Sequence, residues 1–109
     1  MLDKIYVTMV HWYHMEDHEL LVQRVQTGVR IEKRLLKVLK AFAEYHDLTL
    51  GDLLEGIVLH AFDGKTPFNP AALERIQELK KFYELKLDSS ASHRLKELRR
   101  TGSKRATKH

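Results

Sequence analysis

Polar and apolar residues alternate strictly between Arg24 and Ile31, and at Lys33 that alternation gives way to a period of three to four. Val25, Thr27, Val29 and Ile31 fall on one side of a period-two segment, while Arg24, Gln26, Gly28 and Arg30 fall on the other. A short half-buried strand feeding directly into a helix is the simplest structure with that change of period. From Lys33 the apolar positions are Leu35, Leu36, Val38, Leu39, Phe42, Ala43 and Tyr45, the spacing of an amphipathic helix, with Lys33, Arg34, Lys37, Lys40 and Glu44 facing out. The pattern breaks between His46 and Gly51. Thr49, followed three residues later by Asp52, reads as a capping-box-like start in which the shorter acid replaces glutamate. A second helix carries Leu53, Leu54, Ile57, Val58, Ala61 and Phe62 to a stop at Asp63 and Gly64. The rival reading, one long helix from Met15 to Tyr45, must absorb the β-favouring Val22, Val25, Thr27, Val29 and Ile31, as well as Gly28, which weakens a helix by about 1 kcal/mol.

A chain of 109 residues accommodates one small domain with appendages. One strand and two helices do not enclose a core alone, so a homodimer is the expected folding unit, with room for a higher oligomer. The absence of cysteine removes disulfides, thiolate metal sites and cysteine nucleophiles together. No apolar stretch approaches the ~20 residues that span a bilayer, and no secretory leader is legible, which makes the cytoplasm the default location. Glycine-rich phosphate loops, nucleophile elbows and paired-carboxylate motifs are missing, so neither an enzyme nor a cofactor is expected.

The order and lengths of these elements, the Thr49 helix start behind Leu48, and the apolar register of Leu35, Leu39, Leu54, Val58 and Phe62 give residues 24–62 a resemblance to the ribbon-helix-helix family of bacterial repressors, which includes the Arc and methionine repressors. The resemblance covers a little over a third of the chain. It implies an α+β, mostly α fold: a ribbon-helix-helix homodimer whose two strands pair as an intermolecular two-stranded antiparallel ribbon, here with an additional C-terminal helix. In that family the polar face of the ribbon enters the major groove. By register, Arg24, Gln26 and Arg30 would read bases; Lys33, Arg34 and the backbone at Thr49, Leu50 and Gly51 would hold phosphates. The chemistry suits the roles, since Arg pairs bidentately with guanine and Gln with adenine, each worth about 1 to 3 kcal/mol of discrimination. Two residues depart from the pattern: Gly28 leaves the polar face without a central side chain, and Asp52 places a negative charge where phosphate would approach.

Charge is concentrated at one end. Residues 94–109 hold seven basic side chains against one acid, while residues 1–93 are slightly acidic, so the formal +4 belongs to the tail. The last nine residues have the composition of a disordered arm, which either adds salt-dependent affinity for phosphates or simply solubilises the terminus. Between the motif and this arm, Asn69 before Pro70 is a cap-then-first-turn signal for a third helix presenting Leu73, Ile76, Leu79, Phe82, Tyr83 and Leu87. A weaker last helix is expected from His93 to Arg100. The third helix either extends the dimer core or, through residues 70–87, binds a second protein as an antitoxin binds its toxin. The N-terminal stretch holds an apolar run, Ile5 to Val10, readable as an extra strand, and His11, His14 and His18 at one-face helical spacing. The simpler reading of those histidines is chance, and no metal is assigned.

The organisation expected is therefore an N-terminal extension (1–20), a ribbon-helix-helix domain (21–63), a connector and third helix (64–93), and a basic tail (94–109). The function expected is sequence-specific binding of double-stranded DNA by a dimeric transcriptional repressor that occludes polymerase. The alternative is a protein-interaction module, an antitoxin or a dimeric scaffold that does not read DNA.

Overall fold

Each helix begins at a side chain that replaces a missing backbone partner. The computed structural model describes residues 19–98, which contain α1 (Lys33–Tyr45), α2 (Leu50–Phe62), α3 (Pro70–Phe82) and a single 3₁₀ turn (Ser89–Ala91). Glu32 caps α1 by accepting the Leu35 amide at 2.7 Å. Thr49 caps α2, its hydroxyl oxygen accepting the Asp52 amide at 3.0 Å, and Asn69 caps α3 by accepting the Ala72 amide at 2.8 Å, with Pro70 at the first helical position.

The three C-termini share one geometry. After each helix a residue takes positive φ, Asp47 (55°), Gly64 (70°) and Glu84 (57°). The next amide then reaches back five residues: Leu48 to Ala43 at 2.8 Å, Lys65 to His60 at 2.9 Å, and Leu85 to Lys80 at 2.8 Å. This is the Schellman arrangement, in which the residue past the turn commonly folds an apolar side chain back on the helix. Leu48 and Leu85 do so, half-buried and 8 % exposed respectively. Only Gly64 adopts its backbone conformation without the steric cost a Cβ imposes.

The hub of the packing is α1, which lies against both α2 and α3, while the backbones of α2 and α3 do not closely approach each other. Phe42, Ala43, Leu53 and Ala72 form the buried centre, with Leu39, Leu48, Ile57, Phe68, Ile76 and Leu79 around it. Phe42 is the bulkiest fully buried side chain, edge-on to Phe68 (centroids 5.3 Å apart) and to His46 (4.6 Å). Arg75 of α3 stacks on Tyr45 of α1 and fastens those two helices at the surface. The core face of α2 runs through Leu53 and Ile57, so the register expected from Leu54, Val58 and Phe62 is rotated: Leu54 is half-buried, Val58 is 43 % exposed and Phe62 79 %.

The expected β-ribbon does not form. There is no β-strand among the described residues, so the fold is mostly helical rather than a ribbon-helix-helix. Residues 19–31 make no backbone–backbone hydrogen bond there; the first bond of the ladder is Leu36 to Glu32, which opens α1. A strand is a property of a pair, and alternation supplies two faces without supplying a partner edge. The leading segment is instead attached through side chains, and its apolar residues stand in the open, Val25 at 80 % and Val29 at 73 % exposure. A second correction concerns the C-terminal part: α3 stops at Phe82, so Leu87 lies beyond it, and residues 93–98 are not helical. Asp88 takes over as the cap of the 3₁₀ turn, accepting both the amide and the hydroxyl of Ser90, and His93 takes positive φ (65°), which breaks any helix there. The expected N-terminal strand, the histidine trio and the basic arm lie outside the described residues.

Candidate nucleic-acid interface

Six cationic side chains, Arg24, Arg30, Lys33, Arg34, Lys37 and Lys40, fall within residues 24–40, against one acid, Glu32. That acid is engaged as the cap of α1. All six cations are exposed. The amphipathic pattern of α1 produces this directly, because burying Val38, Phe42 and Ala43 turns the lysine side of the helix outward.

The two arginines of the leading segment are held differently from the cations of α1. Arg24 donates Nε to Glu55 Oε2 at 2.8 Å and Nη2 to Glu55 Oε1 at 2.7 Å, a two-pronged pair, with Asp52 Oδ1 a further 3.4 Å from Nη2. Arg30 makes the same kind of pair with Glu97, through Nε at 3.0 Å and through Nη2. The hydrogen bonds and charge of their partners hold Glu55 and Glu97 below the usual carboxylate range and raise both arginines above their ordinary value. Every member of these pairs is well exposed, from 45 % for Asp52 to 82 % for Arg30, so water screens the attraction and the pairs contribute little net stability. They fix where the segment lies, tying it to α2 at one point and to the residues after the 3₁₀ turn at another.

Lys33, Arg34 and Lys40 hold no ion pair among the described residues, and Lys37 approaches only the Tyr83 ring, 6.0 Å from its centroid. Gln26 is exposed between the two arginines. The expected base readers thus share one segment and lead into the expected phosphate holders Lys33 and Arg34. The amide end of α2 is a different case. Thr49 and Gly51 are exposed and Leu50 half-buried, but Asp52 sits in the first turn with Arg24 3.4 Å from its carboxylate, so the dipole there already faces a negative charge.

Sequence reasoning missed Glu55 and Glu97 as partners, since each is remote in the chain and reads as an ordinary surface acid. Comparison of the chain with protein-family models, curated proteins and solved structures finds no match. No group of His, Cys, Asp or Glu able to hold a metal occurs among the described residues. Nor is any helix there long and apolar enough to cross a membrane.

An open apolar groove of about 530 Å³ lies beside the core, walled by Leu35, Leu39, Leu53, Ile57, Leu85 and Leu95. Further apolar surface is carried by Leu20 (86 % exposed), Leu21 (93 %), Phe62 (79 %) and Phe82 (76 %). Exposed apolar area on this scale is a mark of association in small proteins.

Proposed function

We propose that the protein is a DNA-binding regulator that acts as a self-associated particle, with Lys33, Arg34, Lys37 and Lys40 tracking the phosphate backbone and Arg24, Gln26 and Arg30 reaching base edges. The observation that carries the reading is the run of six exposed cations from the leading segment onto α1, with its one acid consumed in capping. Cations of α1, which hold no ion pair among the described residues, neutralise phosphates without first leaving a carboxylate there, and each one engaged contributes about 0.9 to the salt dependence of binding. The arginine pairs are exposed, so opening one to reach a guanine edge costs little stability. Self-association accounts for Val25, Val29, Leu20 and Leu21, whose exposure is costly in an isolated chain.

The test is fluorescence anisotropy against a duplex from the region upstream of the gene, titrated across salt with scrambled duplex as competitor. A steep salt dependence, and binding that survives competition, are expected. Lys33→Ala with Arg34→Ala should weaken all duplexes alike and flatten the salt slope by about 2. Absence of binding at low salt would sink the reading.

The exposed apolar residues support a second reading, a protein-interaction module such as an antitoxin or scaffold. In that case a protein partner would cover Phe62, Phe82 and the groove, and the cations would be a solvated face.

A further inference from the structure

We infer that Glu55 and Glu97 are specificity-determining residues: each holds in its carboxylate the guanidinium fork of an arginine that would otherwise bind any phosphate. The inference rests on the DNA-binding reading above. It stands on a division among the cations that composition does not predict. Of the six, the two arginines of the leading segment are both engaged two-pronged by a carboxylate, one from α2 and one from the C-terminal segment. The four cations without an ion pair among the described residues, Lys33, Arg34, Lys37 and Lys40, all belong to α1, where Lys37 approaches only the Tyr83 ring.

A carboxylate and a phosphate offer the guanidinium the same pair of anionic oxygens. Moving Arg30 from Glu97 to a random phosphate therefore exchanges one oxyanion for another and leaves the freed Glu97 charge beside a polyanion, with little net gain. Moving it to the O6 and N7 of a guanine adds a contact that depends on sequence and lets the freed Glu97 carboxylate accept from the N4 amine of the paired cytosine, so the cost of opening the pair is offset only at the right base pair. The carboxylates thus suppress non-specific attachment at the arginines and leave base recognition as the reason to open the pair. Lys33, Arg34, Lys37 and Lys40, with no carboxylate to leave among the described residues, supply affinity that is blind to sequence. At Arg24 the effect is shared, because Asp52 remains 3.4 Å away when Glu55 is neutralised.

The experiment compares wild type with Glu97→Gln, Glu55→Gln and Glu44→Gln on a mixed-sequence duplex and on the best sequence selected from a random library. Glu44 is exposed on α1 and holds no ion pair among the described residues, so its variant carries the same charge change without releasing an arginine. With matched circular dichroism, Glu97→Gln should tighten mixed-sequence binding about five-fold. It should also steepen the salt slope by about 0.9 and reduce the ratio between selected and mixed duplexes. Glu55→Gln should do the same more weakly, and Glu44→Gln should change the ratio little. Equal effects from all three variants, or none from Glu97→Gln while wild type binds DNA, would overturn the inference. No binding by any of the proteins would overturn the DNA-binding reading on which it rests.

Discussion

The guanidinium carbon of Arg75 lies 4.0 Å from the centre of the Tyr45 ring, and its Nη2 donates to the Tyr45 hydroxyl at 2.7 Å. One side chain of α3 thereby meets both the π-face and the polar end of a residue in the last turn of α1. Arg75→Ala should destabilise the fold by roughly 1 kcal/mol through loss of stacking and of the apolar stem. Arg75→Lys should recover only part of this, because an ammonium group does not stack as a plane. Chemical denaturation checks both variants, and equal stability of Arg75→Ala and wild type would show that the contact contributes nothing.

Asp47 and Glu84 occupy the left-handed position that ends α1 and α3, where Gly64 serves α2. A side chain there costs about 1 to 2 kcal/mol, part of which glycine returns as entropy in the unfolded chain. Asp47→Gly and Glu84→Gly should therefore each stabilise by up to about 1 kcal/mol, a rise in Tm of about 4 to 8 °C for a domain of this size. Thermal melts decide it. A fall in Tm would mean that these side chains contribute more than their backbones cost.

The pairs Arg24–Glu55 and Arg30–Glu97 also set a pH dependence. Both glutamates lie below the usual carboxylate range, so what the pairs contribute is fully present above the ordinary glutamate value and is lost as pH falls through the lowered one. The Nε–H resonances of Arg24 and Arg30 should report the release of the leading segment in that acidic window. Transitions at the ordinary glutamate value would mean that the pairs do not persist in solution.

Burial separates two leucines of α2. Leu53 is 2 % exposed and Leu59 is 62 % exposed. Leu53→Ala should cost about 2 to 5 kcal/mol, a large part of the stability of a domain this small, whereas Leu59→Ser should leave the melt nearly unchanged. If the apolar surface mediates association, light scattering should show a smaller particle for a protein carrying Leu59→Ser and Phe62→Ser. An unchanged mass would remove α2 from the interface.

The helices were legible because their signals are local. Thr49 before Asp52, and Asn69 before Pro70, mark starts within four residues, and the period from Lys33 to Tyr45 is set by one buried stripe. What escaped depends on contacts far apart in the chain. The alternation from Arg24 to Ile31 describes a segment with two unlike faces but not what either face meets, and the charged face meets Glu55 and Glu97, 31 and 67 residues away. The end of α3 is hard to place because Leu87 continues the apolar spacing after the chain has turned at Glu84; half-buried beyond that turn, it imitates one more helical position. On α2 the sequence is apolar on most sides, so periodicity could not choose between Leu53 and Leu54 as the buried face.

Since the backbones of α2 and α3 each pack on α1 and do not closely approach one another, the order in which the molecule can come apart is restricted. Either outer helix can detach while the remaining pair stays packed, but α1 cannot leave without dissolving both interfaces. Its amides should be the last to exchange with solvent, and the helix that carries the lysine row is then the most persistent part of the molecule. A surface presented from that helix keeps its spacing through partial openings at either side, so the charges on Lys33, Lys37 and Lys40 form a fixed ruler even while their neighbours fluctuate.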